Sequence, residues 1–226
     1  MSDVPTLRAI CQQELRALDG DLYLAHLFAH ETVRDHWLLL SLMYCHLRRV
    51  ERETTEPMVQ LIRLQWWADQ ISDIGEFKTG SGPIVDFASA AGLDGRPIAD
   101  LVARLMARCE GDDQVSVGVV GAQFFMMLAA VTSSKAAPDI LSEAGAFWET
   151  WREYGQSQRA SSPDQRATAL AIKRDLNALP RKTRRAFVPI ILVFGMCCRH
   201  LQQAPVRGST LGYLIYLVSR SITLKL

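Results

Sequence analysis

The sequence predicts an all-α, single-domain bundle of roughly ten helices, and three observations predict it. Apolar residues recur at helical spacing along nearly the whole chain, and no stretch shows the strict alternation of a half-buried strand. Short runs carrying proline, glycine, serine or aspartate separate these segments, and such runs start and stop helices. With 226 residues, 49% of them hydrophobic, the chain can fill one large core, and 1–226 is assigned as one domain.

The elements follow in order. A first helix is expected from about Pro5 to Leu18 and stops at "DGD", where Asp21 can cap a short segment reaching Ala29. A long helix runs over about Glu31 to Glu53. "TTEP" then offers a cap and sets Pro57 at the first position of a helix over about 57–75. The loops "GEFKTGSGP" and "GLDGRP" flank a short helix near 84–91. "RPIADLVARLMARCEGDD" is amphipathic, with Ile98, Leu101, Val102, Leu105, Met106 and Cys109 on one stripe. "VSVGVVGAQFFMMLAAV" is apolar nearly all round, carries small residues, and belongs at the centre of the bundle. "DILSEAGAFWETWREYGQ" is a further helix. After the polar connector "SQRASSPDQ", Pro163 restarts the helical pattern through about Leu179, and two last helices are expected over about 184–202 and 209–224.

Charge is balanced overall at +1 but unevenly placed. Residues 1–158 carry 13 basic and 22 acidic side chains, net −9, and residues 159–226 carry 12 and 2, net +10. A basic C-terminal third suits an anionic membrane surface or an acidic partner, and equally a neutralising match between helices of one fold. No nucleic-acid partner is expected. Cys11, Cys45, Cys109, Cys197 and Cys198 lack metal-ligand spacing and read as free thiols of a reducing compartment. The N-terminal stretch has the pattern of neither a signal nor a transit peptide, and the apolar run 186–198 is too short to span a bilayer.

"RLQWWADQISDIGE", residues 63–76, raises the first chemical question. Asp69 and Asp73, four apart on a helix, stack on one face, and an inward carboxylate pair could hold Mg²⁺ for a diphosphate. The same spacing describes a solvated face opposite a buried stripe of Leu61, Leu64, Trp67 and Ile71. His26 and His30 are also four apart, but no HExxH accompanies them, and no GxSxG, P-loop or dinucleotide motif occurs.

"DLYLAHLFA", "LLSLMYCHLRRVERETTEPMVQLIRLQWWADQI" and "LNALPRKTRRAFVPIILVFGMCCRHLQ" together resemble the squalene/phytoene synthase family. The resemblance is to its divergent alphaproteobacterial branch, which is similar to a mitochondrial complex I assembly factor. It implies an isoprenoid-synthase-like bundle around an apolar cavity. In that family two Asp-rich helical segments hold Mg²⁺ at the cavity mouth while two prenyl diphosphates are joined head to head. Counting back from "IRLQWW", the first segment falls on Arg48 and Arg52, so the spacing is kept and the sign inverted. The second falls on "REYGQS", with Glu153 and Ser157 where aspartates belong, and the family's downstream "YLP" is absent.

The resemblance therefore implies a catalytically degenerate protein that acts by binding, escorting a membrane-associated respiratory subunit or assembly intermediate. No cofactor is expected. The expected location is the bacterial cytoplasm, including its inner-membrane surface, or the matrix face in a eukaryote. Arg48 and Arg52 could grip a diphosphate or lipid head group, or could pair with Glu51, Glu53, Glu149 or Glu153 and plug the site. Trp66, Trp67, Trp148, Trp151, Phe124 and Phe125 are either core or the lining of a prenyl cavity. Two rival functions stay open: a Mg²⁺-dependent prenyl transferase using Asp69 and Asp73, and a non-enzymatic binder of an isoprenoid or phospholipid. The expected last helix, with Leu211, Leu214, Ile215, Leu217, Val218 and Ile222, either closes the bundle or docks on a membrane or membrane-bound partner.

Overall fold

A computed structural model describes residues 3–75, 82–132, 138–155 and 163–202. These residues form eleven α-helices and one π-helical turn, with no strand among them. The order is α1 (Val4–Leu18), α2 (Gly20–His26), α3 (Arg34–Glu53), α4 (Pro57–Ser72), α5 (Pro83–Ala90), α6 (Arg96–Cys109), α7 (Val117–Ala130) and α8 (Pro138–Thr150). The π-helical turn Trp151–Gly155 follows, then α9 (Pro163–Ala178), α10 (Arg181–Ala186) and α11 (Val188–Gln202). One buried apolar cluster runs from Leu7 on α1 to Cys198 on α11, so the described chain is a single-domain all-α bundle.

Local chemistry sets the helix ends. The Asp3 carboxylate accepts from the Thr6 amide and caps α1, with Pro5 in the first turn. Asp19, rather than Asp21, turns the corner. Its extended backbone (φ −152°) ends α1, and its side chain accepts the amides of Asp21 and Leu22 to start α2. Within "TTEP" the cap position falls on Glu56, which makes no side-chain cap bond. The Gln60 amide instead donates to the carbonyls of Glu51 and Thr54, closing the α3–α4 corner. The helix expected over 184–202 is two helices. Pro189 cannot donate to the Arg185 carbonyl and its ring crowds that group, so the chain breaks at Phe187 and restarts as α11. The helix expected over 209–224 lies outside the described residues.

α7 takes the central place its composition predicts. Ala130 is its one exposed residue, and it packs against α8, α6 and α3. The α7–α8 contact is unusually close because glycines face each other. A Cβ on Gly121 would overlap the Gly145 carbonyl and the Glu149 Cβ, and one on Gly145 would overlap the Gly121 carbonyl. This crossing fixes where Glu149 enters the bundle. No helix among the described residues is long and apolar enough to cross a membrane.

Candidate functional site

The last two turns of α3 and the α8–π-helix junction face each other and bring five of the singled-out residues together. Arg48 is the hub, its side chain 3% exposed. Its Nε donates to Glu149 Oε1 at 2.7 Å, one terminal nitrogen donates to Glu153 Oε2 at 2.9 Å, and the other pairs with Glu51. All three guanidinium nitrogens are thus engaged by carboxylates. Arg52, one turn on and 40% exposed, reaches both Glu149 and Glu153 at 3.4 Å, longer contacts than those of Arg48. Glu149 is completely buried, so its charge depends on these arginines. Ser157 lies outside the described residues.

The network extends past the residues the sequence singles out. Arg108 of α6 pairs with Glu51 at 3.3 Å. Arg152, on the π-helical turn, pairs with Asp19 at 2.8 Å and lies 4.6 Å from the centroid of the Trp148 ring. The widened turn lets Arg152 point toward Asp19 while Glu153 still reaches Arg48. Four arginines (48, 52, 108 and 152) thereby meet four carboxylates (Asp19, Glu51, Glu149 and Glu153), and the cluster neutralises itself. Burial opposes the charge on Arg48, but Glu149 and its neighbours outweigh it and hold the guanidinium above its ordinary range. Burial first, then the Glu149 carboxylate, pushes the Tyr44 phenol well up, so it remains a neutral hydroxyl.

Beneath the ion pairs the aromatics pack on one another. Tyr44 stacks on Phe124 at 3.9 Å, and Trp148 lies 5.8 Å from Phe124 and 5.2 Å from Phe125, all of them buried. A cleft of about 240 Å³ opens beside Arg48, lined by Arg49, Arg52, Arg152, Glu53, Leu18, Tyr44 and Cys45. Arg152 and Leu18 also border a second cleft, of about 520 Å³, with Asp19, Asp21, Trp148, Trp151 and Cys197.

Asp69 and Asp73 sit elsewhere, Asp69 on α4 and Asp73 at its C-cap, and α4 packs against α6 and α3. Leu64, Trp67 and Ile71 form its buried stripe, with Leu61 partly covered, while Asp69 is exposed and accepts from the Gln65 amide at 2.8 Å. Among the described residues no group of three or more histidine, cysteine or acidic side chains is placed to hold a metal ion. His26 is buried, its Nδ1 2.5 Å from the Tyr23 carbonyl, whereas His30 is exposed beside Thr32. None of the five cysteines is in a disulfide.

Asp19, Arg108, Arg152 and Tyr44 are the site residues that sequence reasoning missed. "WREYG" places Arg152 beside Glu153, a local hint, but nothing in the sequence pairs it with a helix cap 133 positions earlier. Comparison of the chain with protein-family models, with curated proteins and with solved structures finds no match.

Proposed function

We propose that this chain is a catalytically degenerate synthase-like protein that acts by binding, as an assembly or stabilising factor for a membrane-associated respiratory complex. The observation that supports the loss of catalysis is the saturated Arg48 guanidinium. The acids that a metal-dependent diphosphate site would need, Glu149 and Glu153, already neutralise Arg48 and Arg52. A divalent cation there would have to displace buried, charge-assisted hydrogen bonds and would meet two guanidinium groups of its own sign. The respiratory partner is inferred from the sequence resemblance.

The test has two arms. Purified protein with farnesyl or geranylgeranyl diphosphate and Mg²⁺ should release no diphosphate above the protein-free blank. Release that disappears in Glu149→Gln or Asp69→Asn would overturn the non-catalytic reading. Affinity capture from native membranes should enrich a respiratory subunit, and the absence of any such subunit would remove the assembly assignment.

One observation favours a second reading, a binder of an isoprenoid diphosphate or phospholipid head group. The 240 Å³ cleft is rimmed by four arginines, and Arg52 is half-exposed with its carboxylate contacts at 3.4 Å. Metal-independent binding of geranylgeranyl diphosphate that is lost in Arg52→Ala would establish it.

A further inference from the structure

The largest apolar exposure among the described residues is on α4, away from the ion-pair cluster. Met58 is 68% exposed, Ile62 63% and Trp66 53%, the three highest values of any large apolar side chain described. Single exposed apolar residues are ordinary. These three stand at i, i+4 and i+8, so they form one ridge about 12 Å long on the side of α4 opposite Leu64, Trp67 and Ile71. Trp66 is held edge-on against the buried Trp67, ring centroids 5.1 Å apart, and Trp67 in turn lies 5.3 Å from the His46 ring. Such an anchor loses little freedom when it is covered.

Charge says what can cover it. Exposed acids stand beyond both ends of the ridge, Glu56 before Met58 and Asp69 after Trp66, with Arg63 on its flank. An anionic bilayer would meet these carboxylates with like charge. A second copy docking through the same ridge about a two-fold axis would bring the Glu56 end of one helix onto the Asp69 end of the other, acid against acid. An amphipathic protein helix with an apolar row and lysine or arginine at its ends matches both the ridge and its frame.

We infer that the outer face of α4, Met58–Ile62–Trp66 framed by Glu56 and Asp69, is a docking ridge for a basic amphipathic helix of a partner protein. The ridge exists whether or not the chain turns over prenyl diphosphates, so its failure would leave the preceding reading standing.

The probes are a synthetic amphipathic helix of leucine and lysine, its leucine–glutamate counterpart, and vesicles of phosphatidylcholine with phosphatidylglycerol, each offered to the full chain. The lysine peptide should bind more tightly than the glutamate peptide and should slow amide exchange across α4. Ile62→Glu should weaken that binding by at least about tenfold, the size expected for losing a central apolar contact. Glu56→Lys/Asp69→Lys should reverse the preference between the two peptides. Ile62 is largely exposed, so this variant should melt like the parent; if it does not, Met58→Lys replaces it. Peptide affinity unchanged by the ridge substitution overturns the proposal. So does vesicle flotation, or a concentration-dependent dimer, that Ile62→Glu abolishes.

Discussion

Arg48 and His26 show how differently one buried charge and one buried neutral base behave. Arg48 is stable in the interior because Glu149, Glu153 and Glu51 neutralise it, and Glu149 is equally dependent on Arg48. Arg48→Met should therefore cost about 3–5 kcal/mol in urea unfolding, because a fully buried carboxylate is left with only the longer Arg52 contact. Adding Glu149→Met should recover much of that loss; a double variant as unstable as the sum of the two singles would show that the pair was not coupled. His26 behaves in the opposite way. Burial, and then the positive field of Arg34 against the bond to the Tyr23 carbonyl, leaves its pKa below the ordinary 6.5. The unfolded chain then takes up a proton that the native state resists. Stability is full above about pH 6.5 and falls as pH drops toward the native pKa. Burial lowers the His46 pKa too, against the pull of Glu14, so both histidines act in the same direction. Denaturant midpoints should decline as the medium is acidified from neutral to about pH 5.5, and His26→Phe should flatten that decline.

At the level of elements, the α7–α8 crossing carries the site. Gly121 and Gly145 let two backbones approach so closely that neither position has room for a methyl group, and Glu149 follows one turn after Gly145. Gly121→Ala should destabilise the fold by about 1–3 kcal/mol, because the obstacle is backbone and not a side chain that can rotate away. A melting curve checks this, with Gly195→Ala as the control, since nothing lies near its would-be Cβ. Most elements were legible because apolar period and proline are local signals: Pro57 and Pro163 each begin a helix where the sequence says one begins, while Pro83, read as the end of a loop, begins α5. The misreadings were also local. Asp19 and Asp21 are both plausible caps by type, and only the turn geometry chooses Asp19. Pro189 could as well have kinked one helix as separated two. The candidate site was half legible. The resemblance, by counting back from "IRLQWW", implied the i, i+4 arginines on α3, and the acids of "ETWRE" followed as possible partners. The π-helical turn that sends Arg152 to Asp19 has no sequence period, and the match of Arg108 to Glu51 depends on how α6 is packed beside α3.

Across the whole molecule, the thiols offer a test of whether the bundle opens as one unit. The cysteines sit on α1, α3, α6 and α11, so together they sample the bundle from its first helix to its last described one. Burial is the leading cause of every shift among them. It pushes Cys11 up to about 12 and Cys198 to about 11, and it raises Cys45 and Cys197 strongly as well. Cys109 is raised less, is only partly covered, and hydrogen-bonds to the Gln60 side chain at 3.2 Å. A thiolate is the reactive species, so native protein should resist disulfide-exchange reagents at all sites except Cys109. The single apolar cluster joins α1 and α3 to α11, so no pair of helices can expose its cysteine without disturbing a shared core. Under mild denaturant, Cys11, Cys45, Cys197 and Cys198 should therefore react in one kinetic phase with a common denaturant dependence, after a faster Cys109 phase. Site-resolved labelling by mass spectrometry checks this. A separate early phase for Cys197 and Cys198 would mean that α11 detaches from the α1–α3 core before the rest unfolds, and that the chain is two cooperative units instead of one.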